Sequence, residues 1–120
     1  MNWFVARIVF HIIVGDGDHT PQFDEIVKLI AADNETNAFE KALLAGESGQ
    51  DSFLNNSGEK VEWKFIGVSE LGKINQPEDG TELYSKIIET NNVGHYVYFI
   101  QQKNDDIESR LIPLNSTTIA

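Results

Sequence analysis

The chain has 120 residues, 41% of them hydrophobic and 10% aromatic, which is typical of one folded domain and not of a disordered segment. It has 19 acidic residues against 9 Lys and Arg, a formal net charge of −10. This charge disfavours nucleic acid as a partner, because the field of the protein repels phosphates. The chain contains no cysteine, which excludes disulfides, thiol nucleophiles and thiolate metal sites.

The chain begins with an alternating run, residues 3–14, in which every even position from Phe4 onward is apolar. Alternate side chains of a strand point to opposite faces, so the pattern predicts a strand whose even face is buried. The odd face carries Arg7 and His11 among apolar neighbours. The run lacks the features of a signal peptide and is too short to span a bilayer as a helix. We therefore expect a cytoplasmic protein with no membrane partner.

A second β-prone run, residues 23–32, follows a loop rich in Gly and Asp, and this order predicts a long hairpin. One helix is predicted next, with Asp33 or Asn34 as its N-cap and an apolar stripe at helical spacing. Gly46 and Gly49 are expected to end this helix.

The second half of the chain is predicted to be mostly β-structure. Residues 51–55 and 59–68 form a hairpin around Ser57 and Gly58, and the buried face of the second strand is expected to carry Val61, Trp63, Phe65 and Gly67. Three further strand-like runs cover residues 82–90, 95–103 and 107–114.

These elements predict an α+β fold, with a curved, mostly antiparallel sheet of five to seven strands packed on one main helix. We expect a single domain over residues 1–114 and a loose C-terminal tail at 115–120. Because one helix cannot cover both faces of such a sheet, we expect self-association as a homodimer.

Several segments together resemble a known family. They are WFVARIVF, TPQFDE, NAFEKA, GEKVEWKFIGVSEL and DGTELYSKI. The combination of VEWKFIGV with DGTELYS is the most specific part. Over about residues 1–89 the chain resembles the small bacterial family called domain of unknown function four-two-eight-eight. The resemblance implies a small stand-alone bacterial protein, and it carries no catalytic residues over to this sequence.

The loop that contains Asp16, Asp18 and His19 is the best candidate for chemistry. Two carboxylates and an imidazole within four residues could ligate a divalent cation, and a metal-dependent hydrolase is the enzymatic alternative. Gly and Asp are also what an ordinary hairpin loop uses, and the rest of an EF-hand loop is missing. We therefore expect no cofactor, with this loop as the one place for a divalent cation.

Arg7 and His11 form the second candidate site, on one strand face and about 13 Å apart. An Arg among apolar neighbours needs a partner. A cross-strand acid such as Glu25 or Glu62 would make a structural pair; in the functional alternative, Arg7 binds a carboxylate ligand that His11 orients.

The sequence contains no nucleophile elbow, phosphate-binding loop or zinc-ligand spacing. The interpretation therefore leans away from an enzyme, towards a small non-catalytic binding or protein-interaction domain that forms homo-oligomers. The alternatives are the hydrolase described above and an immunity-type protein that binds a basic partner, which would suit the high acidity.

Overall fold

A computed structural model describes the backbone of residues 1–119 and the side chains of residues 1–111. The chain divides into two compact units, Met1–Ser85 and Lys86–Ala120. The elements in order are β1 (Asn2–Val14), β2 (Gln22–Ala32), α1 (Glu35–Ser48), β3 (Asp51–Leu54), β4 (Lys60–Ile74) and α2 (Val93–Ile119).

The first unit is built on an antiparallel sheet with the strand order β2-β1-β4-β3. The long apolar strand β1 is central and pairs along most of its length with β2 on one side and β4 on the other. The short strand β3 pairs with the start of β4, and Gly58 in the turn between them has a φ of 77°. Both predicted hairpins and the α+β class are therefore confirmed.

The core lies between α1 and the even-numbered side of β1, which we call the helix face. The buried side chains of β1 on this face are Phe4, Ala6, Ile8 and Phe10, none more than 3% exposed. Ala38 and Ala42 of α1 are fully buried and belong to the core on this face. Asn34 is the N-cap of α1, because its side chain accepts a hydrogen bond from the backbone N–H of Asn37 at 2.8 Å. The predicted burial of the even face is thus confirmed at its centre.

Two irregularities in β4 decide which of its side chains reach the core. The register between β1 and β4 shifts twice, which leaves Ser69 and Ile66 as extra residues in β4. An extra residue moves the following side chains to the other face of the strand and increases its twist. As a result Val68 and Leu71 pack against the core, and Gly67 does not share a face with Val61 as simple alternation predicts.

The second half of the chain corrects the strand count. Within residues 1–119 the chain has four strands where the sequence predicts five to seven, and two helices where it predicts one main helix. Residues 82–90 contain neither strand nor helix, and the predicted strands 95–103 and 107–114 lie inside α2.

The start of α2 shows why a helix forms where strands are predicted. The side-chain oxygen of Asn92 accepts a hydrogen bond from the backbone N–H of His95 at 3.0 Å, which is the geometry of an N-cap. Residues 101–103, Gln-Gln-Lys, are good helix formers. Continuous helical hydrogen bonding over this length outweighs the local β propensity of Tyr-Val-Tyr-Phe-Ile.

The predicted bounds of the domain, 1–114 with a tail at 115–120, stay a prediction. Residue 120 and the side chains of 112–119 lie outside what the structure describes. Of the two described helices, neither contains a stretch long and apolar enough to cross a membrane.

Candidate functional site

The side of the sheet opposite α1 carries the odd-numbered residues of β1, and we call it the Arg7 face. Within the first unit, residues 75–85 follow β4 and lie beside this face, where they enclose a groove of about 1010 Å³. We call it the Arg7 groove; its walls are Val5 and Arg7 of β1, Val27 of β2 and most of residues 70–85.

Two carboxylates hold Arg7 in this groove. Its Nε donates a hydrogen bond to Oε2 of Glu70 at 3.1 Å, and its Nη1 lies 3.5 Å from Oε1 of Glu25. Glu25 is one of the two structural partners expected from the sequence; the other, Glu62, pairs with Lys60 instead. Glu70 was not expected, because the sequence predicts that its strand ends at residue 68.

Tyr84 completes the cluster. Its hydroxyl donates a hydrogen bond to Oε1 of Glu70 at 2.7 Å, and the Arg7 guanidinium lies over its ring, 4.7 Å from the ring centroid. The hydrogen bond to Glu70 raises the pKa of Tyr84, because the carboxylate favours the protonated hydroxyl that donates to it. The hydrogen bond from Arg7 to the same carboxylate raises the pKa of Arg7. These side chains attach the segment 75–85 to the sheet.

A tight turn shapes the rim of the Arg7 groove. The Thr81 hydroxyl accepts a hydrogen bond from the backbone N–H of Glu78 at 2.8 Å and donates one to the carbonyl of Gln76 at 3.3 Å. Gly80 in this turn has a φ of 86°, which a residue without a Cβ adopts at low cost. The turn places the side chains of Glu78, Asp79 and Glu82 at the exposed edge of the groove.

The Arg7 groove is acidic. Among the described residues that line it are four carboxylates, those of Glu70, Glu78, Asp79 and Glu82, and two cations, those of Arg7 and Lys73. Of these, Arg7 already faces Glu70 and Glu25. The charge left at the rim is therefore negative.

His11 does not join Arg7 in this groove. Its ring stacks on Phe23 of β2, with 4.7 Å between centroids and an interplanar angle of 15°. The residues that line the groove include Arg7 and do not include His11. The structure thus separates the two residues that the sequence groups as one ligand site.

In the loop between β1 and β2, the side chains of Asp16 and His19 are hydrogen-bonded to nearby backbone groups. Nε2 of His19 accepts a hydrogen bond from the backbone N–H of Val14 at 2.9 Å, so Nδ1 carries the proton and donates to the carbonyl of Thr20 at 2.8 Å. Oδ1 of Asp16 accepts from the backbone N–H of Asp18 at 3.0 Å. In the described part of the chain no group of three or more His, Asp or Glu residues is arranged to hold a metal ion. A metal site at Asp16, Asp18 and His19 stays a prediction.

Trp63 lies beside a smaller cavity of about 310 Å³ on the helix face, near the C-terminal end of α1. The sequence predicts Trp63 in the core, but the side chain is only half-buried. Its indole N–H donates a hydrogen bond to Asp24 of β2 at 3.2 Å. A fully apolar position would leave this donor without an acceptor, which explains why Trp63 lies at the margin of the core.

The family comparison covers the first unit. The model described as Domain of unknown function (DUF4288) matches residues 3–85, and so ends at the last residue of that unit. No curated protein and no solved structure matches this chain. The matched range includes VEWKFIGV and DGTELYS and takes in more than half of the sequence. The chain therefore belongs to the family Domain of unknown function (DUF4288).

Proposed function

We propose that the protein is a non-catalytic binding domain that holds a basic, extended peptide segment in the Arg7 groove. The observation that carries the proposal is the charge of the groove, in which the rim carboxylates of Glu78, Asp79 and Glu82 are exposed. Electrostatic complementarity to a cationic partner would increase the association rate and the specificity of binding.

The size of the groove also supports a peptide ligand. At about 1010 Å³ it is as large as the largest usual pockets for small molecules. A chain segment with Lys or Arg side chains could lie along the floor of the groove while its charges meet the acidic rim.

The arrangement of Arg7 favours this ligand over a carboxylate. The guanidinium already contacts Glu70, Glu25 and the ring of Tyr84, so an acidic ligand would have to displace one of these carboxylates. The same cluster supports a binding role over an enzymatic one, because Arg7, Glu70 and Tyr84 on the sheet side of the groove are hydrogen-bonded to each other.

The proposal can be tested by fluorescence anisotropy with a fluorescein-labelled decapeptide of alternating Arg and Ala. The groove variant is Glu78→Gln/Asp79→Asn/Glu82→Gln. Three exposed charge pairs at about 0.5 kcal/mol each correspond to a loss of about tenfold in affinity. The variant is therefore expected to bind the peptide about ten times more weakly than the wild type.

A matched control removes the same charge elsewhere. Asp33→Asn/Glu40→Gln/Glu47→Gln changes three exposed carboxylates at or near α1. It is expected to change the affinity by less than about twofold, because α1 packs on the helix face of the sheet and the groove lies on the Arg7 face. Equal losses in both variants would show a nonspecific response to net charge and contradict the proposal. Absence of peptide binding by the wild type would also contradict it.

A further inference from the structure

The helix α2 carries an apolar stripe at heptad spacing. Its members are Val93, Val97, Ile100, Ile107 and Leu111, each between 44% and 69% exposed. Asn104 fills the gap in this series between Ile100 and Ile107. With Asn104 included, successive members are alternately four and three residues apart. This is the 3.5-residue period of a coiled-coil seam.

The heptad assignment places apolar side chains at five of the six a and d positions between Val93 and Leu111. Because β-branched side chains at d favour more than two strands, the preference for two strands depends on the sixth position. Val93, Ile100 and Ile107 take the d positions, and Val97 and Leu111 take a positions. Asn104 takes the remaining a position. A single Asn at an a position favours two parallel strands in register, because it then faces the same Asn of the partner helix.

The charges beside the stripe agree with a parallel pair. Lys103 takes the g position and Glu108 the e position of the next heptad. In a parallel coiled coil the g residue of one helix meets the e residue of the following heptad in the other helix. Lys103 of one copy would therefore lie beside Glu108 of the second copy, with opposite charges. Within one helix the two residues are five apart and do not face each other.

From these observations we propose that α2 pairs with α2 of a second copy of this chain as a parallel two-stranded coiled coil. The seam runs from Val93 to Leu111, about 28 Å at the usual rise of an α-helix. These residues lie outside the family match at 3–85, so the proposal is independent of the Arg7 groove.

Sedimentation velocity of the full chain from 1 to 200 µM tests the association. The wild type is expected to approach the mass of a dimer as concentration rises. Ile100→Glu/Ile107→Glu, in the seam, is expected to stay a monomer. The control Phe99→Glu/Ser109→Glu places the same new charges on the other side of α2 and is expected to dimerise as the wild type does. Circular dichroism at 222 nm checks that both variants keep their helix.

Two further variants test the orientation. Glu108→Lys is expected to weaken the dimer at least several-fold, and adding Lys103→Glu is expected to restore it. Because the chain has no cysteine, Asn104→Cys can form a disulfide only with itself in a second copy, and a disulfide needs its Cα atoms within about 7 Å. It is expected to cross-link under mild oxidation, whereas Ser109→Cys, on the outer side, is not.

Several results would overturn the proposal. They are a monomer at every concentration, a trimer mass, and a dimer that survives Ile100→Glu/Ile107→Glu. The last would place the contact on another surface, such as exposed Phe23 and Leu29 of β2. Failure of Asn104→Cys to cross-link in a protein that dimerises would exclude the parallel register.

Discussion

The ring of Phe65 lies directly on the backbone of Gly46, the last buried position of α1. A Cβ at residue 46 would meet three ring atoms of Phe65 closer than real Cβ contacts occur. The sequence predicts Gly46 as a helix terminator, but α1 continues past it to Ser48. The glycine therefore serves the close approach of α1 to β4, and the helix ends at Gly49.

Gly46→Ala is expected to destabilise the protein. Overpacking against Phe65 costs about 1–3 kcal/mol, which exceeds the gain of about 1 kcal/mol from replacing Gly by Ala in a helix. Urea unfolding should show the loss, and Phe65→Leu in the same chain should recover part of it. Gly94→Ala in α2 is the control, since an added Cβ there meets nothing within 4 Å. An increase in stability for Gly46→Ala would show that the ring moves aside without cost.

The two extra residues of β4, Ile66 and Ser69, each form a β-bulge, and they give a second prediction. Ile8 is 1% exposed, whereas Ile66, an extra residue of β4, is 57% exposed. Ile8→Ala should lower the free energy of unfolding by about 2–5 kcal/mol, and Ile66→Ala by less than about 0.5 kcal/mol, as for other surface sites. Similar losses in the two variants would mean that β4 has the register of a regular strand and that Ile66 faces the core.

The bulges also explain how far the sequence predicts this fold. Alternation in β1, the loop rich in Gly and Asp after it and the turn at Ser57 and Gly58 were enough to predict the two hairpins. A cap at Asp33 or Asn34 followed by an apolar stripe predicted α1. In β4 the apolar residues that face the core are three apart, Phe65, Val68 and Leu71, and a period of two does not describe them. β4 continues to Ile74, and this continuation brings Glu70 beside Arg7. Only the pairing of β4 with β1 in the structure shows it.

The helix α2 was missed for a different reason. Five consecutive residues from Tyr96 to Ile100 have high β propensity, and this local pattern was stronger than the longer heptad period of the stripe.

The candidate site could also be predicted only in part from the sequence. Arg7 and Glu25 could be paired from the sequence because they sit on adjacent strands of a hairpin. Tyr84 could not, because residues 75–85 have no regular structure whose period would place it.

The titration of Tyr84 is the third prediction. The pKa of Tyr84 is raised by its hydrogen bond to Glu70, so the difference in absorbance at 295 nm between wild type and Tyr84→Phe should show a midpoint above about 10, the ordinary tyrosine value. In a Glu70→Ala background the midpoint should fall towards that value. An unchanged midpoint in Glu70→Ala would exclude the hydrogen bond as the cause.

The raised pKa of Tyr84 also predicts how the stability of the folded protein depends on pH. A group whose pKa is higher in the folded than in the unfolded state stabilises the fold below its unfolded pKa, and this contribution is lost as pH rises through the folded pKa. The wild type should therefore lose more stability than Tyr84→Phe between about pH 10 and the folded pKa of Tyr84. A parallel pH dependence in the two proteins would contradict the linkage.

The loop at Asp16 gives the last prediction. Both ring nitrogens of His19 are engaged with the backbone of Val14 and Thr20, so a metal ion would have to break a hydrogen bond to use this residue. Titration with Mg²⁺, Ca²⁺, Mn²⁺ and Zn²⁺ is therefore expected to give the same small thermal shifts in wild type, in Asp16→Asn/Asp18→Asn and in the charge-matched control Asp33→Asn/Glu40→Gln. His19→Ala should instead destabilise the fold without any metal, by about 1–2 kcal/mol for two lost hydrogen bonds.

A metal site in this loop would stabilise the protein by about 2.7 kcal/mol at a hundredfold excess of ion over Kd. A shift of that size with one ion, abolished only in Asp16→Asn/Asp18→Asn, would establish a metal centre in this loop and make the hydrolase the better account of function.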